Sequence, residues 1–143
     1  MSNTDLLRRS EADLLPPGSV QGQVFHFTVN GYVGLAEVDG WNPDTQEAIE
    51  ICQSVTLGAP KPGQKRKMAS DALKLVFLMD QGFVKTAKIY VTSDEMYTWF
   101  HRSGSWLSAA CRRYGIAVEL KRHDKKTLRR RIRNIMRDAR RTG

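Results

Sequence analysis

Cysteine is scarce in this chain: Cys52 and Cys111 are the only two among 143 residues. Isolated thiols in apolar surroundings predict reduced, buried side chains, not a disulfide framework. Histidine is nearly as thin. His26, His101 and His123 are scattered, and with the two cysteines they offer no paired zinc-ligand spacing. No apolar run approaches the roughly 20 residues of a membrane span, so no membrane partner is expected. "MSNTDLLRRSEADLL" at the start carries acids and no long apolar stretch. It therefore reads as neither a secretory signal nor a transit peptide, and a cytoplasmic protein is expected. Two further signatures are missing. "GAPKPGQKRK" has the Gly58-to-Gly63 gap of a phosphate-binding loop, but Gln64 stands where the loop's lysine belongs. Ser103 and Ser105 lack a His/Asp pairing that would make a nucleophile. Internal repeats and low-complexity segments are also absent.

What is present is a domain of ordinary size, 41% hydrophobic and 27% charged, with an uneven distribution of charge. Between Lys121 and Arg141 stand 11 Lys or Arg against 2 Asp, a net of +9. The whole chain nets +8, which leaves −1 for the remainder. A near-neutral domain (residues 1–123) with a basic tail (residues 124–143) is the form of a protein that meets a polyanion, most often nucleic acid.

Hydrophobic periodicity and turn signals divide the chain. Residues 4–14 suit a short helix that "PPGS" terminates. "GQVFHFTVN" and "YVGLAEVDGW" are strand-like and joined by Asn30-Gly31, the strongest short hairpin signal. "NPDT" at 42–45 makes a second turn, and "QEAIEICQSV" returns as a third strand. Residues 56–67 read as a basic Gly/Pro loop. Met68, Ala72, Leu75, Val76 and Met79 then fall at helical spacing, and Gly82 ends that helix. A strand over 87–93 follows, then a helix capped at Ser93 and broken at 103–105, a second cap at Ser105, and a last strand at "IAVELKRH". In the tail, Leu128, Ile132, Ile135 and Ala139 form the seam of an amphipathic basic helix. The order α-β-β-β-α-β-α-β-α predicts a mixed α/β fold: a central mixed sheet that begins with an antiparallel meander, with helices on both faces.

Within the meander, carboxylates occupy strand positions. With the turn at Asn42–Thr45, residues pair where their numbers sum to about 87. Glu50 then stands opposite Glu37, and Asp39 shares that face by the period of two. Opposed carboxylates destabilise a hairpin unless something neutralises them. A hard divalent cation held by their oxygens would do so, whereas a different register, or a lysine partner, would remove the need.

The succession of elements with these acids resembles the PD-(D/E)XK, or restriction-endonuclease-like, nuclease superfamily. That fold has a helix before a strand meander, an acid on the second strand, an acid-x-lysine motif on the third, and then a helix and a further strand. The resemblance covers residues 4–93. It implies that Glu50 is the acid of the third strand and that Glu37 or Asp39 is the acid of the second. Asp44, in the literal "PD" of the turn, ranks behind them. It further implies one or two Mg²⁺ or Mn²⁺ ions held by Glu37, Asp39, Glu50 and the carbonyl of Ile51. Cys52 stands where the family has its lysine. Lys65 or Lys67, near the start of the next helix, would then reach back to supply it, or Gln53 would swing in through a bulge. The implied activity is hydrolysis of phosphodiester bonds in nucleic acid, with DNA favoured over RNA. The alternative is a catalytically inactive binding module on the same fold, used in a homodimer or a larger nucleoprotein assembly. Either would draw affinity from Lys61 and Arg66 in the basic loop and from Lys125, Lys126, Arg129, Arg130, Arg133 and Arg137 in the tail.

Overall fold

A computed structural model describes residues 10–53 and 59–123, together with Arg133 and Arg137, which are both helical and exposed. The first described element is helix α1, over residues 10–14. There follow β1 (Val20–Val29), β2 (Tyr32–Asn42), β3 (Glu47–Cys52), α2 (Pro62–Asp80), β4 (Thr86–Val91), α3 (Asp94–Arg102), α4 (Trp106–Arg113) and β5 (Ala117–Leu120). The strands form one five-stranded sheet in the order β1-β2-β3-β4-β5. The first three are antiparallel neighbours, and β3-β4 and β4-β5 are parallel. The mixed α/β class and the opening meander expected from the sequence are therefore present.

Local chemistry explains the joints. Asn30 and Gly31 both take positive φ, as a two-residue type I′ hairpin requires. The second turn lies one residue further along the chain than the sequence suggests. Asn42 Oδ1 accepts from the amides of Asp44 and Thr45, and Gln46 adopts φ of 56° before β3 begins. Residues 43–46 form the loop, and paired numbers across it sum to 89, as in Asn42↔Glu47 and Gly40↔Ile49. The expected sum of 87 is thus corrected. Glu37 is not opposite Glu50; by the same sum that position falls to Asp39, one residue beyond the last paired residues.

The stretch read as a loop over 56–67 also differs in its second half. Pro62 is the first residue of α2, where a proline loses no helical hydrogen bond. Gln64 Oε1 accepts from the Lys61 amide at 2.9 Å and steadies that end. Elsewhere the expected caps hold: Ser93 Oγ accepts from Met96 N, and Ser105 Oγ from Ser108 N.

Helices cover both faces unequally. On one face α2, α3 and α4 bury Met68, Leu75, Leu78, Met96, Phe100, Leu107 and Cys111 against Val38, Ala48, Ile89, Val91 and Val118. Fully burying a leucine such as Leu75 contributes about 1.5–3 kcal/mol, so this layer carries the fold. On the other face Leu14 and Leu15, at the end of α1, pack on Ile49, Ile51 and Tyr90. Among the described residues no helix is long and apolar enough to cross a membrane.

Candidate active site

β3 is the middle strand, so its alternate side chains are buried on both faces. Ile49 and Ile51 point toward α1, while Ala48 and Cys52 belong to the layer beneath α2. Glu50 lies between Ala48 and Cys52 and shares their face. It is 1% exposed, an uncommon state for a glutamate unless it is partnered.

The partners come from one stripe of α2. Lys67, Asp71 and Lys74 stand at intervals of four and three residues, so they project from the same side of the helix. Lys74 Nζ sits 2.9 Å from Glu50 Oε1 and 4.0 Å from Asp71 Oδ1. Lys67 Nζ donates to Asp71 Oδ2 at 2.7 Å, and the Cys52 thiol donates to the same oxygen at 3.4 Å. The Lys74 ammonium pairs with Glu50 by charge and proximity, but Glu50 Oε1 receives no directed hydrogen bond.

Asp39 joins from β2. Its neighbours show why a glycine-assisted irregularity is needed there. Val38 and Trp41, three residues apart, both pack in the α2 layer. Gly40 between them faces Leu15 on the α1 side, where an added Cβ would lie 2.4 Å from a methyl group. The two-residue alternation therefore resets at Asp39. Across from it Gly22 takes φ of +71°, and the Gly22–Asp39 pair drops out of an otherwise continuous β1–β2 register. The β2–β3 ladder ends at Gly40↔Ile49, and Asp39 Oδ2 accepts instead from the Ile51 amide at 2.7 Å. A side-chain oxygen thus takes the place of a strand carbonyl where β2 and β3 separate.

The electrostatics follow from burial and crowding. Glu50 is pushed up from 4.5 to about 9, first by burial and then by the negative charges of Asp39 and Asp71, with Lys74 opposing. The Cys52 thiol is raised, chiefly by burial and next by Asp71, so it is held as a neutral S–H donor and not as a nucleophile. For Lys67, burial works against the charge. The hydrogen bond to Asp71 and the surrounding negative charge outweigh it and keep the ammonium protonated. Lys67 is also the cluster's opening to solvent, with its side chain 54% exposed.

Several expected site residues lie elsewhere. Glu37 is exposed and alternates with Ala36 and Val38, which pack inward, so it leaves the face that carries Glu50. Its carboxylate lies beside Gly22, 3.0 Å from where a Cβ would be. Lys65 turns toward α3 and places its ammonium 4.9 Å from the centre of the Trp99 ring. Gln53 does not swing into the cluster. Its amide donates to Glu11 Oε1 at 3.0 Å and its carbonyl accepts from His123 Nε2 at 2.9 Å, linking α1 to the end of β5. Asp44 remains in the turn. Lys61 and Arg66 are exposed at the start of α2. Lys125, Lys126, Arg129 and Arg130 lie outside the described residues. Asp71 and Lys74 are site residues that the sequence reading does not single out. The Lys-x₃-Asp-x₂-Lys spacing beside the apolar stripe of α2 is the signal that carries them.

The donor set bears on an Mg²⁺ or Mn²⁺ ion. Among the described residues, no three of His, Cys, Asp and Glu converge as a ready-made cage. The expected four-ligand set with Glu37 is therefore not assembled. Asp39 and Glu50 still bring two carboxylates together, with Glu50 Oε1 buried against the Lys74 ammonium. That fits Mg²⁺, which is commonly held by one or two carboxylates with substrate phosphates and water completing the shell. It does not fit zinc. In comparisons with protein-family models, with curated proteins and with solved structures, the chain matches none.

Proposed function

We propose that the chain is a metal-dependent phosphodiesterase acting on nucleic acid, with DNA the favoured substrate, built in the manner of the PD-(D/E)XK nucleases it resembles. One observation carries this reading. Asp39 and Glu50 meet where β2 and β3 part, and Lys67 and Lys74 reach them from α2, as would be needed if Cys52 has displaced the motif's own lysine. Asp39 and Glu50 would hold the ion, and Ile51 contributes its amide by fixing Asp39. The ion, when bound, lowers the pKa of a water and neutralises charge that develops on the phosphate. Lys67, the more exposed lysine, would meet the phosphate. Asp71 orients Lys67, and Lys74 favours the charged form of Glu50, the form that would hold the ion.

The second reading, a binding module without cleavage, draws on the same cluster. An ion-paired, self-neutralised Glu50 needs no metal to be accommodated. Labelled single-stranded, duplex and branched DNA and RNA, incubated with and without Mg²⁺ or Mn²⁺, separate the two. Divalent-dependent cleavage of any of them supports the nuclease. Binding without cleavage under every condition leaves the module.

A further inference from the structure

The first hairpin differs in charge from the rest of the chain. From Leu14 to Ala36 there is no Asp, Glu, Lys or Arg over 23 residues, in a protein with 27% charged residues and a net charge of +8. Within this stretch, Phe25 and Phe27 point inward, Phe25 into the main core and Phe27 edge-on to Phe77 of α2. The alternating His26 and Thr28 are exposed on the opposite face. Their cross-strand partners are Leu35 and Val33, which are 62% and 74% exposed, and Tyr32 beside them is 75% exposed. Among the described residues no helix covers this strip, since Leu14 and Leu15 pack farther along the sheet on Ile49, Ile51 and Tyr90.

β1 is also an edge. It pairs with β2 on one side, regularly from Gln23 to Val29, and among the described residues no strand pairs with its other side. Natural sheets protect such edges with lysines, prolines or inward charges, because unpaired amides and carbonyls template a further strand. β1 has none of these over its ten residues. Its irregularity at Gly22 lies near one end, and among the described residues the seven regular residues that follow pair only with β2.

We infer that two copies of this chain associate through β1, antiparallel across a two-fold axis, joining the two five-stranded sheets into one of ten strands. The geometry is self-complementary. An antiparallel strand pairs with itself with donors facing acceptors, and the same patch serves both partners. Charge selects the occupant. Nucleic acid would meet no cation here. Two copies with a net charge of +8 repel one another in general, and this hairpin lets them approach without setting like charges opposite each other.

Sedimentation equilibrium of the full chain tests this, with Thr28→Lys, Leu35→Lys and Trp106→Lys as variants. Trp106 is 74% exposed on a separate apolar groove of about 500 Å³ between α2 and α4, shared with Leu73 and Tyr114. The wild type should be a concentration-dependent dimer. Thr28→Lys places two new charges at the shared edge and should weaken the dimer about tenfold or more, with Leu35→Lys weakening it less. Trp106→Lys should leave it unchanged. All three positions are exposed, so far-UV circular dichroism spectra should match the wild type, showing that the fold is kept. Hydrogen exchange supplies an independent reading: the amides of β1 should exchange more slowly as protein concentration rises. A wild type that stays monomeric, a dimer broken by Trp106→Lys but not by Thr28→Lys, or β1 exchange independent of concentration would each overturn the inference.

Discussion

At the scale of single residues, Glu50 decides most. Its carboxyl titrates near 4.5 when exposed in the unfolded chain and near 9 in the native protein. Between those values the native state holds a proton that the unfolded state has released. Stability from this group is therefore complete at acid pH and declines as pH rises toward 9. In metal-free buffer the melting temperature of the wild type should fall between about pH 5 and pH 9, and Glu50→Gln, which cannot titrate, should flatten that fall. Parallel pH profiles would mean that Glu50 is not held as described. The same substitution should abolish cleavage, because it removes the ion's seat, and leave metal-free nucleic-acid binding unchanged below about pH 9, where Glu50 is already neutral. Among the lysines, Lys67→Ala should reduce the cleavage rate by at least about tenfold, in line with the loss of one charged interaction with the transition state. Lys65→Ala should alter binding only, since its ammonium rests on Trp99. Equal losses from both would show that Lys67 has no special place. Lys74→Ala should destabilise the fold by about 1–3 kcal/mol in urea titrations, less than for a fully buried pair because Lys74 is partly exposed.

At the scale of elements, the β1–β2 hairpin and the start of α2 position the site. Gly22 permits the irregularity opposite Asp39, and no L-residue takes φ of +71° without strain. Gly22→Ala should cost about 1–2 kcal/mol in urea denaturation. It should also reduce cleavage, because the added Cβ would stand 3.0 Å from Glu37 Oε1 and disturb the strand that presents Asp39. Full activity in a destabilised Gly22→Ala protein would separate the irregularity from the site. These elements are only partly legible in the sequence. The Asn30-Gly31 turn, the caps at Ser93 and Ser105 and the stop at Gly82 rest on local chemistry and appear where expected. The second turn lies one residue further along than its residues suggest, because the αL conformation of Gln46 carries no sequence signal as strong as glycine. The first turn of α2 is masked by its Pro-Gly pair, which marks a loop in most settings and a helix start in this one.

At the scale of the whole molecule, a domain of nearly balanced charge carries a strongly basic segment. Removing residues 124–143 should weaken nucleic-acid binding much more than it lowers the melting temperature, since that segment holds the net positive charge. The slope of log affinity against log salt should flatten by about 0.9 for each duplex phosphate that the shortened protein no longer neutralises. An unchanged slope would assign the segment to another partner, and loss of folding would make its Leu128, Ile132 and Ile135 seam part of the core. Arg133 and Arg137, helical and exposed, are four residues apart, and Arg133→Ala with Arg137→Ala should produce part of the same flattening.

The sequence by itself determined the mixed α/β class, the order of the described elements, the uncharged hairpin and the concentration of positive charge at the end of the chain. Each depends on periodicity, turn chemistry or composition, which act over a few residues. It also marked Asp39, Glu50 and Lys67 as worth attention. Tertiary structure alone decided which acids and lysines meet. A one-residue displacement of the second turn moved the position facing Glu50 from Glu37 to Asp39, and a reset of strand alternation turned Glu37 to the other face. Asp71 and Lys74 reached Glu50 only because α2 crosses β3 with that stripe inward. Register and helix rotation are properties of packing between distant segments, and no local pattern in the chain records them.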